Sequence, residues 1–355
     1  MNRLYRCLMI TVIIILCIGI VFVAGFLIVL TIMDYRPEPV TGLEIKGSPQ
    51  PIPPGKKDFS FFTWNIGYSG LGKEMDFFYE GGKRVRPGKE EFNRYLTGIS
   101  AFVHSHDSVD FIFLQEVDRG SKRSYYTDEA SFFEQQLPGF GYLFAKNYDS
   151  RFVPLPLSEP MGRVISGIMV FTKFNPVDAE RHGFDVNFPW PKRLFFLKRC
   201  FLVLQFDLGE NKRLFLVNVH NSTFDKGAVL RKKELGTLKV FLDSLYLSGS
   251  YVIAGGDWNM NPRDFDKNSI TSGDVAKTVE PPLDPDFLPG WRCAFDPSHP
   301  TNRDVDMPYH YGVSGTTIID FFFVSPNIDV REVRTIPVGF ENSDHQPVYL
   351  SVSLK

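Results

Sequence analysis

Tyr251-Val252-Ile253-Ala254-Gly255-Gly256-Asp257-Trp258-Asn259-Met260-Asn261-Pro262 is the stretch from which the fold is read. An aromatic and two β-branched residues open it and predict a strand. Two glycines follow, which admit close backbone approach or a sharp turn. Asp257 and Asn259 then stand two positions apart, on one side of an extended chain. A carboxylate there can take a proton from water, and the amide can orient that water or a phosphate. An Asx-rich turn is the other reading of the same residues.

The same design, an apolar run ending on a polar side chain, recurs along the chain. Strands are expected at Phe59–Trp64, Phe111–Leu114, Val164–Phe171, Phe201–Phe206, Arg213–Val219, Tyr251–Ala254, Thr317–Val324 and Pro347–Leu354. Helices are expected at Lys89–Val103, Glu129–Leu137 and Ala228–Leu247. In the first, Phe92, Leu96, Ile99 and Val103 recur at helical spacing. Many strands with few helices fit two packed sheets flanked by helices. The Pro/Asp-rich stretch 261–310 is expected as loops over one rim.

A strand end is a rigid place from which to aim a side chain. Asn65 ends Phe61-Phe62-Thr63-Trp64-Asn65, where its amide can reach a metal or phosphate or simply begin a turn before Gly67. Glu116 ends Phe111-Ile112-Phe113-Leu114-Gln115-Glu116. A carboxylate at the end of an apolar strand must be solvated, paired or metal-bound, and Mg²⁺ favours such hard oxygen donors. His220 ends Leu216-Val217-Asn218-Val219-His220, as a hydrogen-bonded structural residue or a site residue. Asp320 lies in Ile318-Ile319-Asp320-Phe321-Phe322-Phe323-Val324 and needs a partner, either backbone donors or a histidine whose tautomer it sets. Asp344 and His345 precede the last strand; the first can bind metal and the second can face a phosphoryl oxygen. Each has an ordinary explanation alone. The ordered set, all at strand ends, does not.

Taken together, these motifs resemble the endonuclease/exonuclease/phosphatase superfamily, from about Phe59 to the C-terminus. Gly-Asp-Trp-Asn is similar to that family's Gly-Asp-Phe-Asn, and Gln-Glu, Asn-x-His, Ile-Asp-Phe and Ser-Asp-His also match. The resemblance implies a four-layer α/β/β/α sandwich of two mainly antiparallel sheets and a Mg²⁺-dependent phosphoester hydrolase, with Mn²⁺ as the alternative ion. It implies Asn65, Glu116 and Asp344 at the metal, Asp257 and Asn259 activating and orienting water, and His345 on the phosphate with Asp320 orienting it. His220 matches a histidine of the deoxyribonuclease and sphingomyelinase branches. Gly67, Asp118 and Asn221 stand where named branches carry other residues, so no branch is assigned.

The N-terminus sets the location. Cys7 to Met33 holds no charged residue, longer than the ~20 residues that span a bilayer. Arg3 and Arg6 precede it, and basic residues favour the cytoplasmic side. An uncleaved signal anchor (1–33) is expected, N-terminus cytoplasmic and single-pass. A connector (34–58) with Pro37, Pro39, Pro49, Pro51, Pro53 and Pro54 is expected to act as a semi-stiff spacer, followed by an extracytoplasmic catalytic domain (59–355). Lys+Arg 39 against Asp+Glu 41 gives no basic excess, which disfavours a dedicated nucleic-acid surface; nucleic acid enters only as a rival substrate. A lipid headgroup or other small phosphodiester is preferred, with no obligate protein partner. Phe188, Trp190, Phe195 and Phe196 are expected mainly in the core, although their basic neighbours also suit a lipid surface. Cys200 and Cys293 are either a disulfide or two buried thiols.

Overall fold

The computed structural model describes residues 3–223, 225, 227–279 and 281–355. Two seven-stranded sheets pack face to face. The first runs in the order Val40–Gly42, Asp178–Gly183, Cys200–Asp207, Arg213–His220, Tyr251–Asp257, Asp320–Val324, Arg292–Ala294. The second runs Ile328–Thr335, Val348–Leu354, Asp58–Asn65, Phe111–Asp118, Gly162–Thr172, Gly141–Val153, Lys46–Gly47. Most neighbours are antiparallel. The parallel pairs in these two sheets are Arg213–His220 with Tyr251–Asp257, which sets His220 beside Asp257, and Asp58–Asn65 with Phe111–Asp118.

Alternation of side chains makes four layers. Phe59, Phe61, Phe111, Phe113, Leu202, Leu216, Ile253 and Phe322 point between the sheets and form the central core. Their neighbours Phe62, Trp64, Ile112 and Leu114 point outward against helix Lys89–Ser105, which buries Phe92, Leu96, Ile99 and Val103. On the opposite outer face, Val217, Val252, Phe321 and Phe323 meet Leu235, Leu238 and Leu242 of helix Val229–Leu247. This is the helix–sheet–sheet–helix sandwich that the motifs implied.

The expected strands are present, six of the eight one to four residues longer. The run expected at Thr317–Val324 is broken. Trp258 donates its N–H to the Ile319 carbonyl, and the Ile319 N–H goes to Thr301 Oγ1, so Gly315–Thr317 joins a separate three-stranded sheet. Gly141–Val153, Asp178–Gly183 and Ile328–Thr335 were not expected; polar residues such as Lys146, Asn147 and Asp149 interrupt their apolar pattern. Cys200 and Cys293 are both buried, free thiols.

The Pro-rich segment does not stand off as a spacer. Val40–Gly42 pairs with Asp178–Gly183 at the edge of one sheet, and Lys46–Gly47 pairs with Gly141–Val153 at the edge of the other. Backbone groups left open at two sheet edges are satisfied in this way. Helix Arg3–Ile32 precedes it, long and apolar enough to cross a membrane. Its last two turns rest on the domain: Leu30 is buried, and Phe26, Leu27 and Thr31 on the same face are half-buried.

Candidate active site

Strand register assembles the cluster. Asp257 lies opposite His220 on one neighbour and opposite Asp320 on the other, so three side chains from distant sequence share one level of one sheet. The facing sheet contributes Asn65, paired in register with Gln115. A bulge between Leu114 and Val117 interrupts the next pairing, and Glu116 takes φ 56° there. Bulges re-aim side chains, and this one turns the Glu116 carboxylate into the cleft.

Glycines make the close approach possible at one end of this cluster. A Cβ on Gly256, whose φ is 140°, would meet the Val219 carbonyl oxygen at 2.1 Å, and one on Gly255 would meet the Phe322 ring at 2.1 Å. Beyond them, Asn259 N–H donates to Asp257 Oδ1 (2.9 Å), and its side-chain amide donates to Asp257 Oδ2 (3.2 Å) and the Asn221 carbonyl (2.9 Å). The turn reading of Asp257-Trp258-Asn259 is realised by these hydrogen bonds, which also hold both side chains at the cavity over the cluster.

Asp257 Oδ2 is the hub. It accepts from Asn65 Nδ2 at 3.0 Å and lies 3.4 Å from His220 Nε2 and 4.0 Å from His345 Nε2. His220 Nε2 is also 3.7 Å from Glu116. His345 gives Nδ1 to Asp320 at 2.8 Å, and its Nε2 faces the amides of Asn302 at 3.1 Å and Asn65 at 3.4 Å. The backbone around it is pinned. Trp64 Nε1 donates to the His345 carbonyl (2.9 Å), Ser343 Oγ donates to the Asn65 carbonyl (2.8 Å), and Arg303 N–H donates to the Asp344 carbonyl (3.0 Å).

The two histidines sit in one cluster with opposite electrostatics. Burial pushes His220 well below its ordinary value, and the positive charges of Arg199, His345 and Arg123 push the same way. Burial also works against a charged His345. There the carboxylates of Asp320 and Asp344, the Asp320 hydrogen bond and Asp257 outweigh it, and His345 is held well above its ordinary value. Burial raises Asp257 to about 6, with His345 opposing and Asp320 adding to the rise. Asp344 is pushed up to about 7 by burial; His345 opposes this, while Glu116 adds to it.

A cavity of about 320 Å³ opens over the cluster. Asn65, Glu116, His220, Asp257, Asn259, Asp344 and His345 line it; Asp320 is the one expected residue that does not, being fully buried beneath His345. Arg199, Arg231 and Asn302 line it too, and no motif marked them. Arg199 belongs to a basic run and Arg231 to an ordinary amphipathic helix, so composition carries no signal for either. Both are buried: Arg231 Nη1 donates to the Asn259 carbonyl at 2.7 Å, and its Nε has no hydrogen-bond partner among the described residues. The aromatics expected in the core are not there. Phe188, Phe195 and Phe196 are half-buried and form a wall of the cavity, and Trp190 is 54% exposed.

Asp257, Asp320 and His345 bring ligand atoms within 4.8 Å of one another, a grouping that can hold a metal ion. The geometry favours a different use. Asp320 is spent on His345 Nδ1 and is closed off from the cavity. Glu116, Asp344 and Asn65 line the cavity with oxygen donors, as do Glu80, Asp257 and Asp304; Asn65 Oδ1 accepts one hydrogen bond, from Gly67 N–H, and keeps a second lone pair. Burial and the Glu116 carboxylate raise the proton affinity of Asp344, which a cation would relieve, and the oxygens of Asn65, Glu116 and Asp344 fit a hard divalent ion.

A sandwich of this kind with polar strand ends gathered on one rim defines a class of phosphoester hydrolases. The profile of the Endonuclease/Exonuclease/phosphatase family matches residues 62–345, and the chain belongs to that family. Comparison with curated proteins gives no match. Among solved structures, similarity extends to ANGEL2, a 2′,3′-cyclic phosphatase crystallised with adenosine-2′,3′-vanadate, at 14% identity over 88% of this chain and 98% of that one (TM-score 0.53). TDP2 from Caenorhabditis elegans shares 14% identity over 83% and 74% (TM-score 0.51). An endonuclease/exonuclease/phosphatase protein of Beutenbergia cavernae DSM 12333 shares 17% over 84% and 72% (TM-score 0.50). At these identities the likeness is one of fold.

Proposed function

We propose that this chain is a divalent-metal-dependent phosphodiester hydrolase, anchored by its N-terminal helix with the catalytic domain outside the cytoplasm. A lipid headgroup or other small phosphodiester is its substrate. The observation that carries this reading is the convergence on Asp257 Oδ2 of Asn65, His220, Asn259 and His345, beside the open carboxylates of Glu116 and Asp344.

In this reading Asp257, held by Asn259 and Asn65, orients a water molecule and takes its proton as the water oxygen bonds to phosphorus. His345, kept cationic by Asp320, faces the charge that builds on the phosphoryl oxygens. His220, buried and neutral, donates a hydrogen bond to the phosphate rather than a proton. The phosphorus–oxygen bond to the leaving alcohol breaks, that oxygen takes a proton from solvent, and Asp257 returns its proton to solvent, which restores the carboxylate. The products are a phosphomonoester and an alcohol. Asn65, Glu116 and Asp344 would hold Mg²⁺ or Mn²⁺, which when bound neutralises phosphate charge and stabilises the leaving oxygen. The proposed division is an anchor (1–33), a connector (34–58) whose short strands complete two sheet edges, and a catalytic unit (59–355). The retained polar set argues against an inactive binding module on this fold.

The test is turnover by the full chain in detergent of bis(p-nitrophenyl) phosphate, a phosphocholine diester and plasmid DNA, with Mg²⁺, Mn²⁺ or chelator. Metal-dependent hydrolysis of the small diesters is expected. Selective cleavage of the plasmid would instead make it a nuclease, and no turnover of any substrate would remove the catalytic reading.

A further inference from the structure

The wall of the cavity formed by Phe188, Phe195 and Phe196 belongs to a loop that also touches the apolar helix. Trp190 Nε1 donates to Thr31 Oγ1 at 3.1 Å. Asp34, just past the helix end and almost fully buried, lies 3.3 Å from Lys198 Nζ and 3.5 Å from Arg193 Nε, so an ion-pair node ties the helix end to this loop. A second segment joins it. Phe152, at the end of Gly141–Val153, packs edge-on against Phe26 with ring centroids 6.1 Å apart, and Leu155 and Leu157 beyond it are exposed. Tyr148 and Ser150 on that strand donate to the carbonyls of Phe195 and Leu194.

Length locates this contact relative to a bilayer. The apolar helix Tyr5–Ile32 has 28 residues. At ~1.5 Å per residue it is about 42 Å long, against about 30 Å of hydrocarbon. The excess, about 12 Å or roughly two turns, equals the part of the helix that the domain covers. Phe152, Trp190, Leu155 and Leu157 therefore sit at headgroup depth, where aromatic side chains partition best. Arg151 and Lys192 beside them are exposed and form no ion pair among the described residues; Lys192 Nζ lies 3.7 Å over the Phe188 ring.

We infer that this face rests on the membrane and that the cavity takes a phosphodiester lipid of that bilayer. The headgroup enters past Phe188 and Phe196, and the acyl chains remain beside the helix, along the apolar groove lined by Ile20, Val23, Leu27 and Trp190. The inference rests on the hydrolase reading above and adds the source of the substrate. Lys192 and Arg151 favour an anionic leaflet.

The full chain in nanodiscs of phosphatidylcholine with or without phosphatidylglycerol tests it. The remaining tryptophans, Trp64, Trp258 and Trp291, are buried, so quenching by brominated lipids reports Trp190. Quenching is expected, with its loss in Trp190→Phe. Turnover of disc lipid should fall about tenfold in a Leu155→Ala, Leu157→Ala double variant, the order of removing two apolar groups from an interface. Those exposed residues line neither the cavity nor the groove, and bis(p-nitrophenyl) phosphate hydrolysis by that variant should stay within about twofold, as for surface substitutions. Lys192→Glu should lower turnover about fivefold more on anionic than on neutral discs. Absent quenching, or disc lipid left intact while the soluble diester is cleaved, overturns the inference and leaves the hydrolase reading standing. Equal loss on both substrates in the double variant also overturns it, since that marks a structural role. If neither substrate is cleaved with any metal, the hydrolase reading itself fails, and quenching alone still decides whether the face meets the bilayer.

Discussion

The cavity has two unlike walls. One is built from strand ends: Asn65, Glu116, His220 and Asp257 emerge from neighbouring strands whose ladders set their spacing. The other is the loop from Phe188 to Leu197, held by single side chains such as Trp190 and by ion pairs to Asp34. Ladders resist displacement, and loops tolerate it. In the proposed function the reactive groups stand on the laddered wall, and the surface that meets the rest of a substrate stands on the loop wall.

This division is broken most directly at Asp257. Asp257→Ala and His345→Ala should each lower kcat by about 10²–10⁴-fold on every substrate. Near-wild-type rates in either would place the chemistry elsewhere. Gly256→Ala attacks the rigidity itself. The added Cβ meets the Val219 carbonyl, and the chain should lose about 3 kcal/mol in denaturant unfolding, the scale of a strained backbone with a steric clash. A silent Gly256→Ala would show that the strand-end wall yields after all. Glu116→Gln should raise the half-saturating Mg²⁺ concentration by at least the roughly 10–100-fold that loss of an outer-shell partner costs; an unmoved metal titration would remove Glu116 from the ligand set. On the loop wall, Phe196→Ala should raise KM for a bulky phosphodiester about tenfold with kcat kept, the pattern of lost uniform binding. A fall in kcat there as large as that in Asp257→Ala would erase the distinction between the walls.

Much of the strand-end wall was legible before folding. The Asp257 stretch announced both the strand and the close approach, and Glu116 at the end of an apolar run announced a carboxylate in need of company. The bulge that aims Glu116 was not legible, because it depends on the register of Gly162–Thr172 alongside. Asp320 was read as needing a histidine or backbone donors, and it has the histidine, with His345 Nδ1 2.8 Å from its Oδ2. The loop wall was read wrongly. Its aromatics look like core residues by composition, but a segment with no ladder of its own is placed by what it docks against. The Pro-rich connector was expected as a semi-stiff spacer; Val40–Gly42 and Lys46–Gly47 instead pair at two sheet edges, with partners far away in sequence.

The apolar runs, two packed sheets flanked by helices and the order of polar strand ends were set by the sequence alone, since these are properties of neighbours in the chain; the four-layer sandwich followed from the resemblance of the motifs. The charge opposition between His220 and His345, the cavity arginines and the seating of the loop on the apolar helix were decided only by tertiary structure. Those depend on distances between residues far apart in the chain, and electrostatic and packing energies follow such distances, which no local pattern encodes.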